Sequence, residues 1–219
     1  MLMTFKEGLM PRTSRAVAVG YPHHITQRGN NRGQVFFDDA DHVAYLEALT
    51  HYTQIYHLDI WAYCLMPNHI HLLAVPHTPV GLARGVGMTN LRYSRYFNRR
   101  HFRSGHIWQN RFYSCIVDTD AYLWAVARYI ENNPVSAGLT TTASDYRWSS
   151  VHHHLGETED VLLKSSTWLD QGGRDDYRRF LSEEDESLTK MISQATTSGR
   201  AFCGDETLTK LEKQFGRSL

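Results

Sequence analysis

The chain has 219 residues, 42% of them hydrophobic, which is enough for one substantial core and too little for two domains of average size. No run approaches the roughly 18 apolar residues of a membrane helix, and the amino terminus lacks the pattern of a secretion signal. Cys64, Cys115 and Cys203 are far apart and fit neither a zinc motif nor an even-numbered disulfide set. These features argue against secreted disulfide-rich and membrane classes, and we expect a cytoplasmic protein.

The formal net charge is zero, but it is unevenly distributed. Residues 1–150 contain 14 Lys and Arg against 10 Asp and Glu, whereas residues 151–219 contain 9 against 13. Residues 84–128 hold eight arginines, no lysine and two acidic residues. The planar guanidinium suits bidentate contact with phosphate, so this stretch is a candidate nucleic-acid surface. Charge alone leaves a solvated helix face as the alternative.

The first predicted elements are a strand and a helix. The stretch "RAVAVGYPHHITQRGNN" (15–31) is rich in strand-forming residues and breaks into a Gly-Asn-Asn turn, which predicts a strand ending near Arg28. Asp38 and Asp39 can cap a following helix, whose apolar residues recur at helical spacing to about residue 57.

A strand pair, two helices and a short strand follow. The segments 58–66 and 69–75 predict a hairpin, and 80–100 a helix with Arg92, Arg95 and Arg99 on one face. Residues 111–117 predict a short strand. The next helix begins at Asp118-Thr119 and ends near Asn133, because Pro134 disfavours helical geometry in the residue before it.

This order predicts an α+β fold, with an antiparallel sheet of the split βαβ (ferredoxin-like) type and helices on one face. Beyond about residue 155 the composition becomes acidic and polar, with helical patterns at 173–194 and 206–216. We therefore expect a domain over residues 1–155 and a C-terminal helical extension over residues 156–219.

His69 and His71 are candidate metal ligands. A strand directs residues i and i+2 to the same face, so the two imidazoles can share one cation. The chain has thirteen histidines, however, and a second such pair occurs in "VHHHL" (151–155), so two ordinary strand residues are the alternative.

Tyr129 and Asn133 are the candidate partners of these histidines. They lie at i and i+4 on the flank of the predicted helix, and they would approach the histidines if that helix packs over the sheet. A boundary aromatic and a helix C-terminal residue are the alternatives for these two positions.

Five ordered motifs lie within about residues 10–155: "VGYPHHITQRGNN", "YCLMPNHIHLLAVP", "SGHIWQNRFYS", "YIENNPVSAGL" and "YRWSSV". They resemble those of the single-tyrosine HUH transposases, specifically the REP-associated tyrosine transposases of bacteria. The resemblance implies an HUH endonuclease fold with His69 and His71 as metal ligands and Tyr129 as the nucleophile. It also implies a third ligand at Asn133, where more distant relatives have glutamine. Asn68, His106 and Gln109 match family positions without an assigned role.

The activity implied by the resemblance is that of a transposase: an endonuclease and strand transferase for single-stranded DNA, dependent on Mg²⁺ or Mn²⁺. It would act next to hairpins such as REP palindromes through a 5′-phosphotyrosine intermediate, as a monomer or a homodimer. A catalytically silent hairpin-binding regulator and a hydrolytic metallonuclease are the two alternatives. The expected DNA-binding residues are Arg92, Arg95, Arg99, Arg100, Arg103 and Arg111. Phe97, which lies between these arginines in the sequence, is expected in the core.

Overall fold

The computed structural model describes residues 15–118, 122–163, 173–183 and 185–219. Within them, four antiparallel strands form one sheet in the order β2-β3-β1-β4. The strands are β1 (His23–Arg28), β2 (Leu58–Met66), β3 (His69–Pro76) and β4 (Tyr113–Ile116). The helices are α1 (Asp39–Ile55), α2 (Gly81–Arg100), α3 (Leu123–Glu131), α4 (Asn133–Ser136), α5 (Val151–His154), α6 (Gly173–Leu181), α7 (Glu186–Ser198) and α8 (Asp205–Phe215). The predicted α+β fold with a split βαβ sheet is confirmed.

The alternation of side chains along β3 divides the interior into two cores. Ile70 and Leu72 contribute to the core under α1 and α2, whereas Leu73 contributes to the core on the opposite face. His69 and His71 share the parity of Leu73, so the sheet presents both imidazoles on that second face.

Helices α1 and α2 cover the first face, and the core between them and the sheet is apolar and rich in aromatic side chains. The Asp38 carboxylate caps α1 by accepting a hydrogen bond from the Asp41 amide at 3.2 Å. Tyr45, Tyr93 and Phe97 are almost completely buried, so the assignment of Phe97 to the core is confirmed.

Helix α3 covers the second face, together with α6 and α7 of the extension. Val126 and Ile130 of α3 share one core with Leu73, Tyr177 and Ile192. The expectation of helices on one face therefore describes α1 and α2 only. The sheet supports two helical layers because strands such as β2 present buried residues on both faces.

Several predicted boundaries are wrong by a few residues. The strand begins at His23 and not near residue 15, because Gly20, at φ +81, lies in a turn that precedes it. The helix predicted from residue 118 overlaps residues 119–121, which lie outside the described residues. Helix α3 ends at Glu131, and Pro134 occupies the first turn of α4, where a missing amide is tolerated.

In the extension, the pattern at 173–194 corresponds to two helices. Helix α6 ends at Leu181, and Asp185 caps α7 by accepting from the Leu188 amide at 2.8 Å. Helix α8 matches the pattern at 206–216 within one residue at each end. No helix within the described ranges is long and apolar enough to cross a membrane.

Candidate active site

The central strand β3 brings His69 and His71 together beneath α3. Their ring centroids are 5.0 Å apart, with the ring planes at 79°. His71 is 4% exposed and His69 is half-buried. The two imidazoles therefore face the same region, as their spacing predicted.

The proton arrangement of His69 follows from its neighbour Asn68. Asn68 Nδ2 donates to the Arg32 carbonyl at 3.1 Å, which fixes the amide with its oxygen toward His69. His69 Nδ1 lies 2.6 Å from that Oδ1, and an amide oxygen can only accept. His69 Nδ1 thus carries the proton, and in the neutral ring Nε2 keeps its lone pair.

His71 is held by a hydrogen-bond chain that begins on α7. The Thr196 hydroxyl donates to the Ile192 carbonyl at 2.9 Å, so its oxygen accepts from His24 Nδ1 at 2.6 Å. His24 Nε2 is then the acceptor for His71 Nδ1 at 2.9 Å. This chain leaves the lone pair of His71 on Nε2 as well, and we name these three side chains, Thr196, His24 and His71, the histidine relay.

Burial keeps these imidazoles neutral. Desolvation lowers the pKa of His24 to about 3 and that of His69 to about 4, and it lowers the pKa of His71 well below the usual range. The Arg28 charge adds to the pKa depression of both His69 and His71. Neutral imidazoles with an available ring nitrogen are the form that coordinates metal ions.

Tyr129 projects from α3 onto the histidines. Its ring centroid lies 5.5 Å from that of His71 and 5.4 Å from that of His24, both in edge-to-face geometry. Burial raises the pKa of Tyr129, whereas a hydrogen bond with Ser193 and the charge of Arg28 lower it. Burial thus favours the neutral phenol of Tyr129, the predicted nucleophile, whereas Ser193 and Arg28 favour its phenolate.

Asn133 lies at the junction between Tyr129 and His69. Its Nδ2 donates to the Tyr129 carbonyl at 2.7 Å, and its side chain partly opposes the lowering of the His69 pKa. The structure therefore brings all four predicted residues together, and their individual roles stay predictions.

The donor set combines two imidazole nitrogens with an amide. Imidazole suits first-row transition ions and an amide oxygen suits Mn²⁺ or Mg²⁺, so Mn²⁺ is compatible with this mixed set, which also leaves positions for a substrate. Within the part of the chain that the structure describes, no group of three His, Cys, Asp or Glu side chains could hold a metal ion. Asn133 stays the predicted third ligand.

The sequence analysis missed four contributors to this site. Arg28 lies opposite His69 in the β1–β3 register, and it therefore shares the face of the histidines. His24 has the same strand parity as Arg28, a signal that "HHITQR" already contained. Ser193 and Thr196 belong to α7, and nothing local connects that helix with the histidines.

Helix α7 forms one wall of a cavity of about 610 Å³ beside Tyr129. Tyr129 and Asn133 line one side, and Lys190 and Ser193 of α7 line the other. The predicted nucleophile thus lies at a pocket between α3 and α7.

The predicted DNA-binding arginines separate into groups. Arg92, Arg95 and Arg99, which we name the arginine stripe, are exposed on α2. Because α2 packs on the face of the sheet opposite to α3, the stripe is on the far side of the sheet from Tyr129. These arginines are therefore remote from the candidate nucleophile.

Arg100 and Arg103 differ from the stripe. Arg100 pairs with Asp38 at 2.6 Å and with Asp41 at 2.5 Å, so its guanidinium is engaged within the protein. Arg103 is exposed and lines a small pocket of about 220 Å³ with His106 and Asn30. Next to that pocket, the Asn30 amide donates a hydrogen bond to the Ile107 carbonyl. This bond joins the motifs "VGYPHHITQRGNN" and "SGHIWQNRFYS".

An antiparallel sheet that presents a histidine–hydrophobe–histidine pair beneath a tyrosine-bearing helix defines the single-tyrosine HUH class. The family model described as "Transposase IS200 like" matches residues 18–133, a range that includes His69, His71, Tyr129 and Asn133. The chain belongs to this family.

Two relatives agree with that assignment. A Haemophilus influenzae protein described as a REP-associated tyrosine transposase is 29% identical over 122 residues, which cover 51% of this chain and 67% of the relative. A solved structure of a REP-associated tyrosine transposase bound to a REP hairpin matches this chain with a TM-score of 0.54 and 19% sequence identity. The matched region covers 70% of this chain and 96% of the solved chain. The second similarity supports the fold.

Proposed function

We propose that this protein is a metal-dependent endonuclease and strand transferase for single-stranded DNA, acting next to hairpins such as REP palindromes. The observation that carries the proposal is the position of Tyr129 over His69 and His71, whose Nε2 lone pairs are both available. Family membership supports the activity class. The hairpin is proposed because a relative of the same fold was solved with one.

In the proposed reaction, the phenolic oxygen of Tyr129 attacks the phosphorus of a phosphodiester. A new 5′-phosphotyrosine bond forms, the bond to the 3′ oxygen breaks, and the strand departs with a free 3′-OH. One phosphodiester replaces another, so the enzyme can rejoin the bound strand to a different 3′-OH. A free tyrosine has a pKa near 10 and needs assistance at neutral pH.

The residues around Tyr129 supply part of that assistance. The Arg28 charge and the hydrogen bonds from Ser193 and Asn133 favour the phenolate against the effect of burial. Arg28 also places a positive charge where a phosphate would approach. His69, His71 and Asn133 would hold the divalent ion, which when bound supplies Lewis-acid polarisation of the phosphate and stabilises the leaving oxygen.

The remaining arginines are assigned by position. The arginine stripe and Arg103 would contact DNA away from the cleaved bond, where backbone contacts fix the position of the nucleic acid. Arg100 is left out because it is paired with Asp38 and Asp41. We propose residues 1–155 as the catalytic domain and residues 156–219 as an extension that docks on it through α6 and α7.

Denaturing electrophoresis tests the proposal. The protein is incubated with Mn²⁺ and labelled single-stranded DNA that carries a palindrome with flanking sequence. We expect a covalent complex that survives boiling in detergent, with the label retained only when it lies 3′ of the cut. Tyr129→Phe should bind the same DNA and form no complex, whereas Tyr113→Phe and Tyr122→Phe should react like wild type.

The outcomes also separate the two alternatives. A hairpin-binding regulator would bind the DNA without cutting it. A hydrolytic metallonuclease would cut without an adduct and would keep its activity in Tyr129→Phe. Either result would overturn the proposed mechanism.

A further inference from the structure

A cleft of about 450 Å³ follows the outer edge of β4, at the edge of the sheet. One wall is the segment 110–114, and the other is the C-terminal end of α7 with residues 197–200. Gly199 ends α7 at φ +73, a left-handed backbone conformation that glycine adopts without strain.

Four arginines line this cleft: Arg15, Arg111, Arg200 and Arg217. No Asp or Glu side chain is among its described lining residues. Arg111 and Arg200 are exposed, whereas Arg15 stacks on the Phe112 ring with its guanidinium carbon 3.6 Å from the ring centroid. Burial and the neighbouring charge of Arg111 lower the pKa of Arg15 to about 10.

One further side chain indicates what kind of ligand the cleft takes. Tyr113 lines the cleft and is 46% exposed, which leaves an aromatic surface for stacking. Tyr113 is the first residue of β4, and Arg111, two residues before it, lines the same cleft.

The cleft is connected to the candidate active site through Thr196. This residue lines the cleft, and its hydroxyl is also the first member of the histidine relay. Helix α7 therefore contributes to both the nucleophile pocket and the cleft.

We propose that the cleft binds the sugar-phosphate backbone of the single strand that flanks the cleaved bond, an inference that rests on the proposed function. Arginines bind the phosphates, and Tyr113 stacks with a base. Interleaved cations and aromatic side chains are typical of surfaces that bind single strands without sequence preference. Of these residues, the sequence analysis had connected only Arg111 with DNA.

Fluorescence anisotropy with three probes tests this assignment: labelled oligothymidine, a blunt hairpin, and the same hairpin with a single-stranded flank. The double variant Arg111→Ala/Arg200→Ala changes two exposed residues. We expect about tenfold weaker binding for each lost phosphate contact with oligothymidine and with the flanked hairpin. The slope of log affinity against log salt should fall by roughly 0.7 per contact, and blunt-hairpin binding should be unchanged.

Matched variants separate specific contacts from charge. Arg179→Ala removes one charge from an exposed arginine of α6 outside the cleft, and it should bind all three probes like wild type. Tyr113→Ala should weaken binding to oligothymidine and to the flanked hairpin without altering the salt slope, because the lost ring is neutral. Unchanged affinity and slope in the double variant would overturn the proposal, as would an equal loss for the blunt hairpin.

The covalent-complex assay distinguishes failure of the cleft from failure of the proposed function. If wild type forms the adduct while the double variant binds every probe normally, the cleft assignment alone is wrong. If wild type forms no adduct, the proposed chemistry fails, and the anisotropy result still decides the binding role of the cleft.

Discussion

The two faces of the sheet differ in the chemistry of what they bury. Under α1 and α2 the buried side chains are mainly apolar, with Leu72 and Phe97 at 0% exposure. Under α3 and α7, His24, His71 and Thr196 are also buried, but they are polar and joined by hydrogen bonds. Polar groups in such a place are costly unless their partners are fixed, so one face mainly stabilises the fold and the other positions reactive groups.

A second polar network on the α3 side supports this division. Glu131 is fully buried and accepts hydrogen bonds from Tyr177 at 2.8 Å, from His154 at 2.6 Å and from Ser150. Glu131 lies two residues after Tyr129 on α3, so these hydrogen bonds connect the helix that carries Tyr129 to α5 and α6. The polar face is thus fixed by contacts from distant parts of the chain.

The largest effect is expected from removing a predicted metal ligand on the face of the sheet under α3 and α7. His71→Ala should abolish covalent-complex formation, because the site would lose one of two imidazoles. Isothermal titration with Mn²⁺ should show the loss of binding, and circular dichroism should show a folded chain. Wild-type cleavage by this variant would refute the two-histidine site.

Adjacent leucines on β3 compare the faces directly. Leu72 and Leu73 are both 0% exposed, and Leu→Ala at either should lower the free energy of unfolding by about 2–5 kcal/mol. At a temperature where both variants are folded, only Leu73→Ala should also weaken Mn²⁺ binding. The side chain of Leu73 lies on the same face of the sheet as the two histidines, whereas that of Leu72 lies on the other face. Equal Mn²⁺ affinity in the two variants would contradict a functional division between the faces.

Acid should destabilise the folded protein through its buried histidines. Above pH ~6.5 the histidines are neutral in both states. As the pH falls toward 4, the unfolded chain binds protons that His24 and His69, with pKa values of about 3 and about 4, do not take up when folded. Each should therefore reduce stability by about 1.4 kcal/mol per pH unit over this window.

Thermal melting of the metal-free protein between pH 4 and 7 measures this slope. His24→Gln should give a flatter dependence, by about one proton, than wild type. Identical slopes in the two proteins would show that His24 is protonated equally in the folded and unfolded states.

The histidine relay should contribute a smaller effect through orientation. His24→Ala removes the acceptor of the His71 Nδ1 proton, and partners of this kind typically change metal affinity by 10–100-fold. Mn²⁺ titration should show that weakening while Tyr129 is intact. His23→Ala, at the neighbouring buried histidine outside the relay, is the control and should keep Mn²⁺ affinity.

The smallest effect belongs to the arginine stripe on the apolar side. Arg95→Ala/Arg99→Ala should weaken binding to many DNA sequences and reduce the salt slope by roughly 0.9 per lost duplex phosphate contact. Cleavage at saturating DNA should be unchanged, because the stripe is remote from Tyr129. A lower cleavage rate at saturation would connect the two faces.

The sequence alone determined much of this protein, because local periodicity reports local structure. The alternation around His69 and His71 predicted their strand and their common face, and the i, i+4 spacing joined Tyr129 with Asn133. The motifs identified the family that the comparisons confirm. Helical spacing likewise found α1, α2 and α8 within a few residues.

Tertiary structure decided what depends on contacts between distant segments. The antiparallel register of β1 and β3 places His24 and Arg28 beside the histidines, and packing of α7 adds Thr196 and Ser193. The pairing of Arg100 with Asp41, 59 residues earlier, is equally invisible to local spacing. Register and packing are set by the whole core, so no window of sequence contains them.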